Sequence, residues 1–484
     1  MWHGGDLCYR PRDCPRCGLS WPRALSAADC CGSFSRVWQN NGKFILRIED
    51  TDLERYVEGA VDIIYSTLKE ANMQIDEGPN EGGPYGPYVQ TERKDLYLKY
   101  ALELVEKKAA YYCFCDKERL DSLANETGIK RYDKHCMHLS EEEVKMRLER
   151  GDKWVIRQNM PTEGVSEFDD LVYGKVTVPN NELEDQILIK SDGLPTYNFA
   201  NVVDDHLMNI TYVMRGNEYL SSTPKYNLLY DAFGWERPQY VHLTPIMKDA
   251  TRKLSKRYGD ANFDDFVKRG FLPEAIVNYI CLLGWSPKGE QEKFTMEELI
   301  EKFSISGLSK SSAIFDEAKM KWLNGEYIKE LSFDRFMELA TPFFEQSDIK
   351  GLYSYEKLGK LVQSRVEILS EIPEKVNFLA HYEKFDLDLF NNKKFKIDKE
   401  VAKKVLLASL PELEGLEEWT EEKLHEVTVK IATKLETKTG QVYTVHRIAL
   451  SGVSVTPGGS VELADILGKE QSLERINKCL GWLE

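Results

Sequence analysis

The chain has 484 residues, room for a few domains at about 150 residues each. Hydrophobic residues make up 42% and charged residues 30%, which excludes a disordered or fibrous chain, and no apolar run approaches the roughly 18 residues of a membrane span. With 64 Lys and Arg against 80 Asp and Glu the net charge is -16, which excludes a general polyanion-binding surface and leaves only local basic clusters for a particular nucleic acid.

In chain order, the first forty residues stand apart. Up to Asn41-Gly42 there is no Lys, Ile or Glu, and neither period-2 nor period-3.6 hydrophobic order. Five of the ten cysteines (Cys8, Cys14, Cys17, Cys30, Cys31) crowd here. Three readings compete: a zinc knuckle built on Cys14-Pro-Arg-Cys17, a mitochondrial transit peptide, or sequence foreign to the fold, as a displaced frame or start would produce. Over the whole chain the cysteines are too sparse for a secreted disulfide scaffold, so a reduced, cytoplasmic compartment is expected.

Phe44-Ile-Leu-Arg-Ile48 reads as a strand, and 57–71 as a helix with Val57, Ala60, Val61, Ile64 and Leu68 on one stripe. Gly82–Pro87 is a turn cluster, 91–108 a helix, and Val155-Ile156, Lys175–Val178 and Ile187–Lys190 are strands. Strands alternating with helices predict an α/β domain. Strand signals end near 255. Capping boxes at Ser140-x-x-Glu143 and Thr295-x-x-Glu298 open helices, and Thr420 caps a run with Leu424, Val427, Ile431 and Leu435 on one face. The C-terminal third is therefore expected to be all-helical.

Three constellations carry chemistry. Cys113-Phe-Cys115 and Cys136-Met-His138 form two short-spaced ligand pairs, the set a closed structural zinc site uses, with His135 a competing ligand. Arg252-Lys-Leu-Ser-Lys-Arg257 puts four cations and a hydroxyl on one loop, suited to a polyphosphate. Asp204-Asp205-His206 reads equally as metal ligands or a solvated helix start, followed by Arg215-Gly-Asn-Glu218.

Together these segments resemble the bacterial-type glutamyl-tRNA synthetases, class I aminoacyl-tRNA synthetases. The matching stretches are Leu46–Asp52, Gly86–Gln90 with Glu92-Arg93, Ser191–Leu207, Phe271–Ala275, Trp322–Gly325 with Tyr327-Ile328, and Lys253-Leu-Ser-Lys-Arg257, which is similar to the KMSKS loop. The resemblance implies an α/β Rossmann-like class I catalytic domain with a small zinc-binding insertion, followed by all-α C-terminal domains. It implies that Glu49 holds the substrate ammonium, Tyr197 and Arg215 bind glutamate, and Glu218 helps place ATP. Lys253 and Lys256 would stabilise charge as pyrophosphate leaves, with Leu254, Ser255 and Arg257 completing the ATP loop. Cys113, Cys115, Cys136 and His138 would hold structural zinc. Partners would be ATP with magnesium, L-glutamate and tRNA(Glu), with no DNA or membrane, and the protein a monomer.

The expected divisions are 1–42 outside the fold, 43–110 and 191–260 as the two parts of the catalytic domain, and 111–190 as the zinc-containing, acceptor-stem region. Residues 261–330 would be a helical connecting domain and 331–484 a helical anticodon-binding domain. One departure stands out: the family's HIGH motif should fall near Arg23–Ser26, which reads Arg-Ala-Leu-Ser. A transit peptide would precede that motif, not replace it, which favours foreign sequence. The chain as written is thus expected to be a weak or inactive synthetase, and the alternative is a non-catalytic tRNA- or zinc-binding descendant.

Overall fold

The computed structural model describes residues 42–52, 59–123, 131–254 and 262–484 with side chains, and 4–11 and 17–21 by backbone. The chain divides into two bodies, Met1–Asp264 with Ile276–Asp316, and Asp265–Ala275 with Glu317–Glu484. Residues 261–330, read from sequence as one connecting domain, are shared between them.

The first body is built on a seven-stranded sheet of order β3-β1-β2-β9-β10-β6-β7. The strands are β1 (Gly4–Pro11), β2 (Cys17–Trp21), β3 (Gly42–Arg47), β6 (Val165–Asp170), β7 (Gly174–Pro179), β9 (Tyr212–Gly216) and β10 (Gln239–Leu243). A smaller antiparallel sheet joins β4 (Ala110–Cys113), β5 (Val155–Gln158) and β8 (Ile187–Ile189). Successive residues of the main sheet enter different cores. Phe44, Leu46, Met214 and Val241 pack with Ile64 and Leu68 of α1 (Ala60–Glu70), whereas Ile45, Val213 and Tyr240 pack with Tyr88 and Met208. Strands covered on both faces read as continuous apolar runs rather than alternations.

The segment expected outside the fold contributes two of these strands. β1 pairs antiparallel with β3, Asp6 opposite Arg47 through to Pro11 opposite Gly42, and β2 runs parallel to β9, Cys17 opposite Tyr212. Buried strands β3 and β9 expose inner edges whose N–H and C=O groups must find partners. That demand, not a hydrophobic pattern in Gly4–Pro11, accounts for the pairing. Arg23–Ser26, Cys14, Cys30 and Cys31 lie outside the described residues.

The second body is helical, as expected. Thr420 accepts from the Lys423 N–H and opens Glu421–Lys434, which buries Leu424, Val427 and Ile431. The last helix, Ser460–Leu483, is broken at Gly468, whose φ of 76° no branched side chain adopts cheaply. His446 is buried against Ser409, whose hydroxyl donates to the Val405 carbonyl and so receives the His446 Nε2–H at 2.7 Å. Burial pushes the imidazole from 6.5 down to about 4. The unfolded chain then takes a proton that the folded one refuses, so stability is complete above pH 6.5 and falls towards pH 4 by about 3 kcal/mol. Acid titration of His446→Gln, followed by near-ultraviolet circular dichroism, is expected to lose that slope.

Among the described residues no helix is long and apolar enough to cross a membrane.

Candidate functional site

The C-terminal end of β3 delivers Arg47, fully buried, into a charged network. Its Nη2 meets Glu49 Oε1 at 3.0 Å, its Nη1 meets Asp205 Oδ1 at 3.0 Å and its Nε lies 3.7 Å from Asp204 Oδ2. Asp204 also accepts from Arg93 Nε (2.8 Å), Gln90 Nε2 (2.9 Å) and the Tyr97 hydroxyl (2.7 Å). Asp204 and Asp205, left open between metal ligands and a solvated helix start, are neither of these: guanidinium groups hold them inside α2 (Tyr197–Leu207). His206 stacks on Trp235 at 3.8 Å instead. Among the described residues, Arg47 and Arg93 tie the Glu49, Asp204 and Asp205 carboxylates into one buried network, which fixes Glu49 at the end of β3.

Arg215, 4% exposed, ends β9 beside His242 of β10, its in-register neighbour. Its Nε donates to His242 Nε2 at 3.2 Å and its Nη2 to Thr223 Oγ1 at 2.7 Å. The rings of Tyr226, Tyr219 and Tyr240 surround the guanidinium at 4.6, 5.1 and 5.5 Å, and Tyr197 joins through Tyr219 at 5.9 Å. No carboxylate pairs with Arg215 among the described residues; every partner is neutral or aromatic. Buried cations are normally paired, so this one is shaped for an incoming anion.

The two clusters are neighbours. Burial raises the Tyr230 hydroxyl well above its ordinary pKa, Asp205 raises it further, and Arg47 and Arg215 both oppose that shift. A single side chain thus feels the charges of both groups. Glu218 is exposed on the turn after β9, and Gly216 gives it room: a Cβ there would fall 2.3 Å from Glu218 Oε2. The basic loop is entered by a hairpin in which Lys248 N–H donates to Arg252 O (2.8 Å) and Leu254 N–H to Ile246 O (3.0 Å), leaving Lys253 exposed at its exit. Ser255, Lys256 and Arg257 lie outside the described residues.

The expected metal centre assembles in part. Cys113 at the end of β4, Cys115 and Cys136 bring their sulfurs within 4.8 Å of one another. Zinc at about 2.3 Å from each thiolate would set them about 3.8 Å apart, so the spacing fits a tetrahedral metal. A hydrogen bond from Cys136 lowers the Cys113 thiol below its ordinary range. His138 is exposed and is not among the three grouped residues. The Tyr132 hydroxyl lies beside the cluster, 3.2 Å from Cys113 Sγ and 3.6 Å from Cys115 Sγ. The four-residue turn His135–His138 points Cys136 inward, and Arg157 lies 4.2 Å over the Tyr132 ring, fixing it. Tyr132, Asp170, Thr223 and His242 were not read from sequence. Tyrosine is absent from the usual zinc ligand set, and the other three are isolated residues on separate elements.

Comparison with known proteins agrees with this geometry. The family described as tRNA synthetases class I (E and Q), catalytic domain, matches residues 28–322, and the anticodon binding domain matches 335–480. The chain is 56% identical over 439 residues to the glutamate–tRNA ligase of Clostridium novyi (strain NT), covering 90% of each. It is 55% identical over 449 residues to that of Clostridium botulinum (strain Eklund 17B / Type B), covering 92% of each. Among solved structures, a glutamate tRNA ligase from Elizabethkingia meningosepticum CCUG26117, in complex with its amino acid, superposes with a TM-score of 0.85 at 32% identity, over 95% of this chain and 97% of that one. The glutamate-tRNA synthetase of Elizabethkingia anophelis gives 0.84 at 31%.

Proposed function

The chain belongs to the glutamate–tRNA ligase family of class I tRNA synthetases, and from that premise we propose that it joins L-glutamate to tRNA(Glu) in two steps in the cytoplasm, as a monomer. The glutamate α-carboxylate attacks the α-phosphate of ATP, supplied as its magnesium complex, and pyrophosphate leaves. A terminal ribose hydroxyl of the tRNA then attacks the glutamyl-adenylate carbonyl and AMP departs.

The observation that supports this most is Arg215, a buried guanidinium with no carboxylate partner among the described residues. A planar fork of this kind suits the side-chain carboxylate of glutamate, with the Tyr197 ring beside it. Glu49, a buried carboxylate fixed by Arg47, suits the ammonium end. Glu218, Lys253 and Lys256 would serve the nucleotide, with Leu254, Ser255 and Arg257 shaping that loop. Chemistry of this type depends on positioning and fixed charge, and the buried network supplies both without a side-chain base. The helical second body would read the anticodon.

ATP–pyrophosphate exchange with glutamate, measured with and without tRNA(Glu), tests the assignment. Exchange dependent on glutamate is expected; glutamate and tRNA binding without any exchange would favour the non-catalytic descendant instead.

The thiol cluster would hold zinc for structure, with no position left open for catalysis. Cys115→Ser and Tyr132→Phe are expected to lower zinc content and melting temperature, and His138→Ala to change neither, by elemental analysis of the purified chain and thermal melting. Full zinc in Tyr132→Phe would remove the tyrosine from the ligand set.

A further inference from the structure

Arg215 is gripped from behind by a chain of groups that spans three strands. Asp170, at the end of β6, accepts the Val172 and Tyr173 N–H groups on Oδ1 at 2.9 and 2.7 Å. Its other oxygen accepts the His242 backbone N–H at 3.1 Å and meets the His242 ring Nδ1 at 2.7 Å. Across the ring, His242 Nε2 faces Arg215 Nε at 3.2 Å. His242 is fully buried and Asp170 nearly so.

The proton inventory admits one arrangement. Arg215 Nε–H can only donate, so His242 Nε2 accepts, and the ring proton sits on Nδ1 and goes to Asp170. Thr223 Oγ1 also lies 3.3 Å from His242 Nε2, but its one proton goes to the nearer Tyr219 carbonyl at 2.9 Å while the oxygen accepts from Arg215 at 2.7 Å. Burial, together with Arg215, holds His242 below its ordinary pKa despite Asp170, so the ring stays neutral. A carboxylate in the place of His242 would orient Arg215 equally well, but would also neutralise it. The neutral ring orients the guanidinium and leaves its charge unspent.

We propose that Asp170 and His242 are a positioning pair that locks the Arg215 fork and reserves its charge for the substrate, so that the site takes a side-chain carboxylate in preference to a carboxamide. This rests on the glutamate-binding reading of Arg215. His242→Phe keeps the ring and removes the acceptor. His242→Gln returns an acceptor near the Nε2 position. Asp170→Asn presents an NH2 group to Nδ1, which forces the proton to Nε2 and sets it against Arg215 Nε–H.

The test is calorimetric titration of the full chain with L-glutamate and with L-glutamine, after melting curves establish that each variant is folded. His242→Phe and Asp170→Asn are expected to weaken glutamate by about tenfold or more while glutamine binding barely moves, so the preference collapses; His242→Gln should recover most of it. A nitrogen-15 spectrum of the parent ring should show the Nδ1–H tautomer. Parent-like glutamate affinity in both folded His242→Phe and Asp170→Asn, or an Nε2–H ring in the parent, overturns the pair while leaving Arg215 as the glutamate ligand. A parent chain that binds no glutamate overturns the reading beneath it as well.

Discussion

Replacing Arg215 by methionine is expected to remove glutamate binding while leaving the fold in place. The side chain would lose a charge-assisted contact with the substrate carboxylate in a water-poor site, and truncating one partner of such a buried pair costs about 3–5 kcal/mol, or about 100-fold to several thousand-fold in affinity. In the free protein the balance is different. Arg215 has no ion pair to lose among the described residues, and methionine fills most of its volume among Tyr219, Tyr226 and Tyr240. The hydrogen bonds to His242 and Thr223 and the cation–π contacts with the three rings are given up, while the packing is kept. The melting temperature should therefore move by a few degrees at most. A variant that melts normally and still binds glutamate would show that the anion goes elsewhere. A variant that fails to fold would show that Arg215 is a structural cation.

The second large effect concerns the N-terminal segment. Residues Gly4–Pro11 and Cys17–Trp21 satisfy the edges of β3 and β9, yet satisfying backbone groups is not the same as supplying chemistry. The family's HIGH motif would fall at Arg23–Ser26, where the sequence has no histidine, and with it would go an arginine the family uses for the substrate side chain. Removing preorganised contacts to a reacting phosphate costs about 100- to 1,000-fold per group. Exchanging residues 1–41 for a segment that carries Pro-Ser-Pro-Thr-Gly and the HIGH motif is expected to raise tRNA charging by at least about that factor. Charging at equal rates by the two chains would mean that the existing strands supply what the motif does.

How much of this could be read beforehand depends on how local the signal is. The strand at Phe44, the helix at Ala60 and the caps at Thr295 and Thr420 are set by neighbours within a few residues, and all of them appear in the structure. Cys113 and Cys115 were legible for the same reason, whereas Cys136, 21 residues beyond Cys115, was picked out by its own short-spaced pairing with His138. Tyr132 was not, because a phenol four residues before Cys136 signals nothing until Arg157 pins its ring. β9 and β10 escaped notice because Tyr212–Gly216 and Gln239–Leu243 are short and covered on both faces, so neither alternates. Asp170, His242 and Arg215 are separated by tens of residues and meet only where three strands end side by side. Asp204 and Asp205 read equally as metal ligands or a solvated helix start, because spacing alone does not decide between them. Arg47 and Arg93, from distant elements, are what permit their burial.

The N-terminal strands are the opposite case. No hydrophobic pattern in Gly4–Pro11 announces a strand, and the pairing follows from the needs of β3 and β9 rather than from the segment's own residues. Gly216, two residues before Glu218, is a local case that still needs the structure to be read. Its missing side chain has meaning only beside the Glu218 carboxylate that folds over it.

The most direct check on a shared amino-acid cleft is a comparison of L-glutamate with glutarate, which keeps both carboxylates and lacks the ammonium, titrated into the parent chain, Glu49→Gln and Arg215→Met. If Glu49 grips the ammonium and Arg215 the side chain, Glu49→Gln weakens glutamate about tenfold or more but spares glutarate, and Arg215→Met weakens both. Equal losses for the two ligands in Glu49→Gln, or none in either variant, would mean that these charges do not hold opposite ends of one molecule.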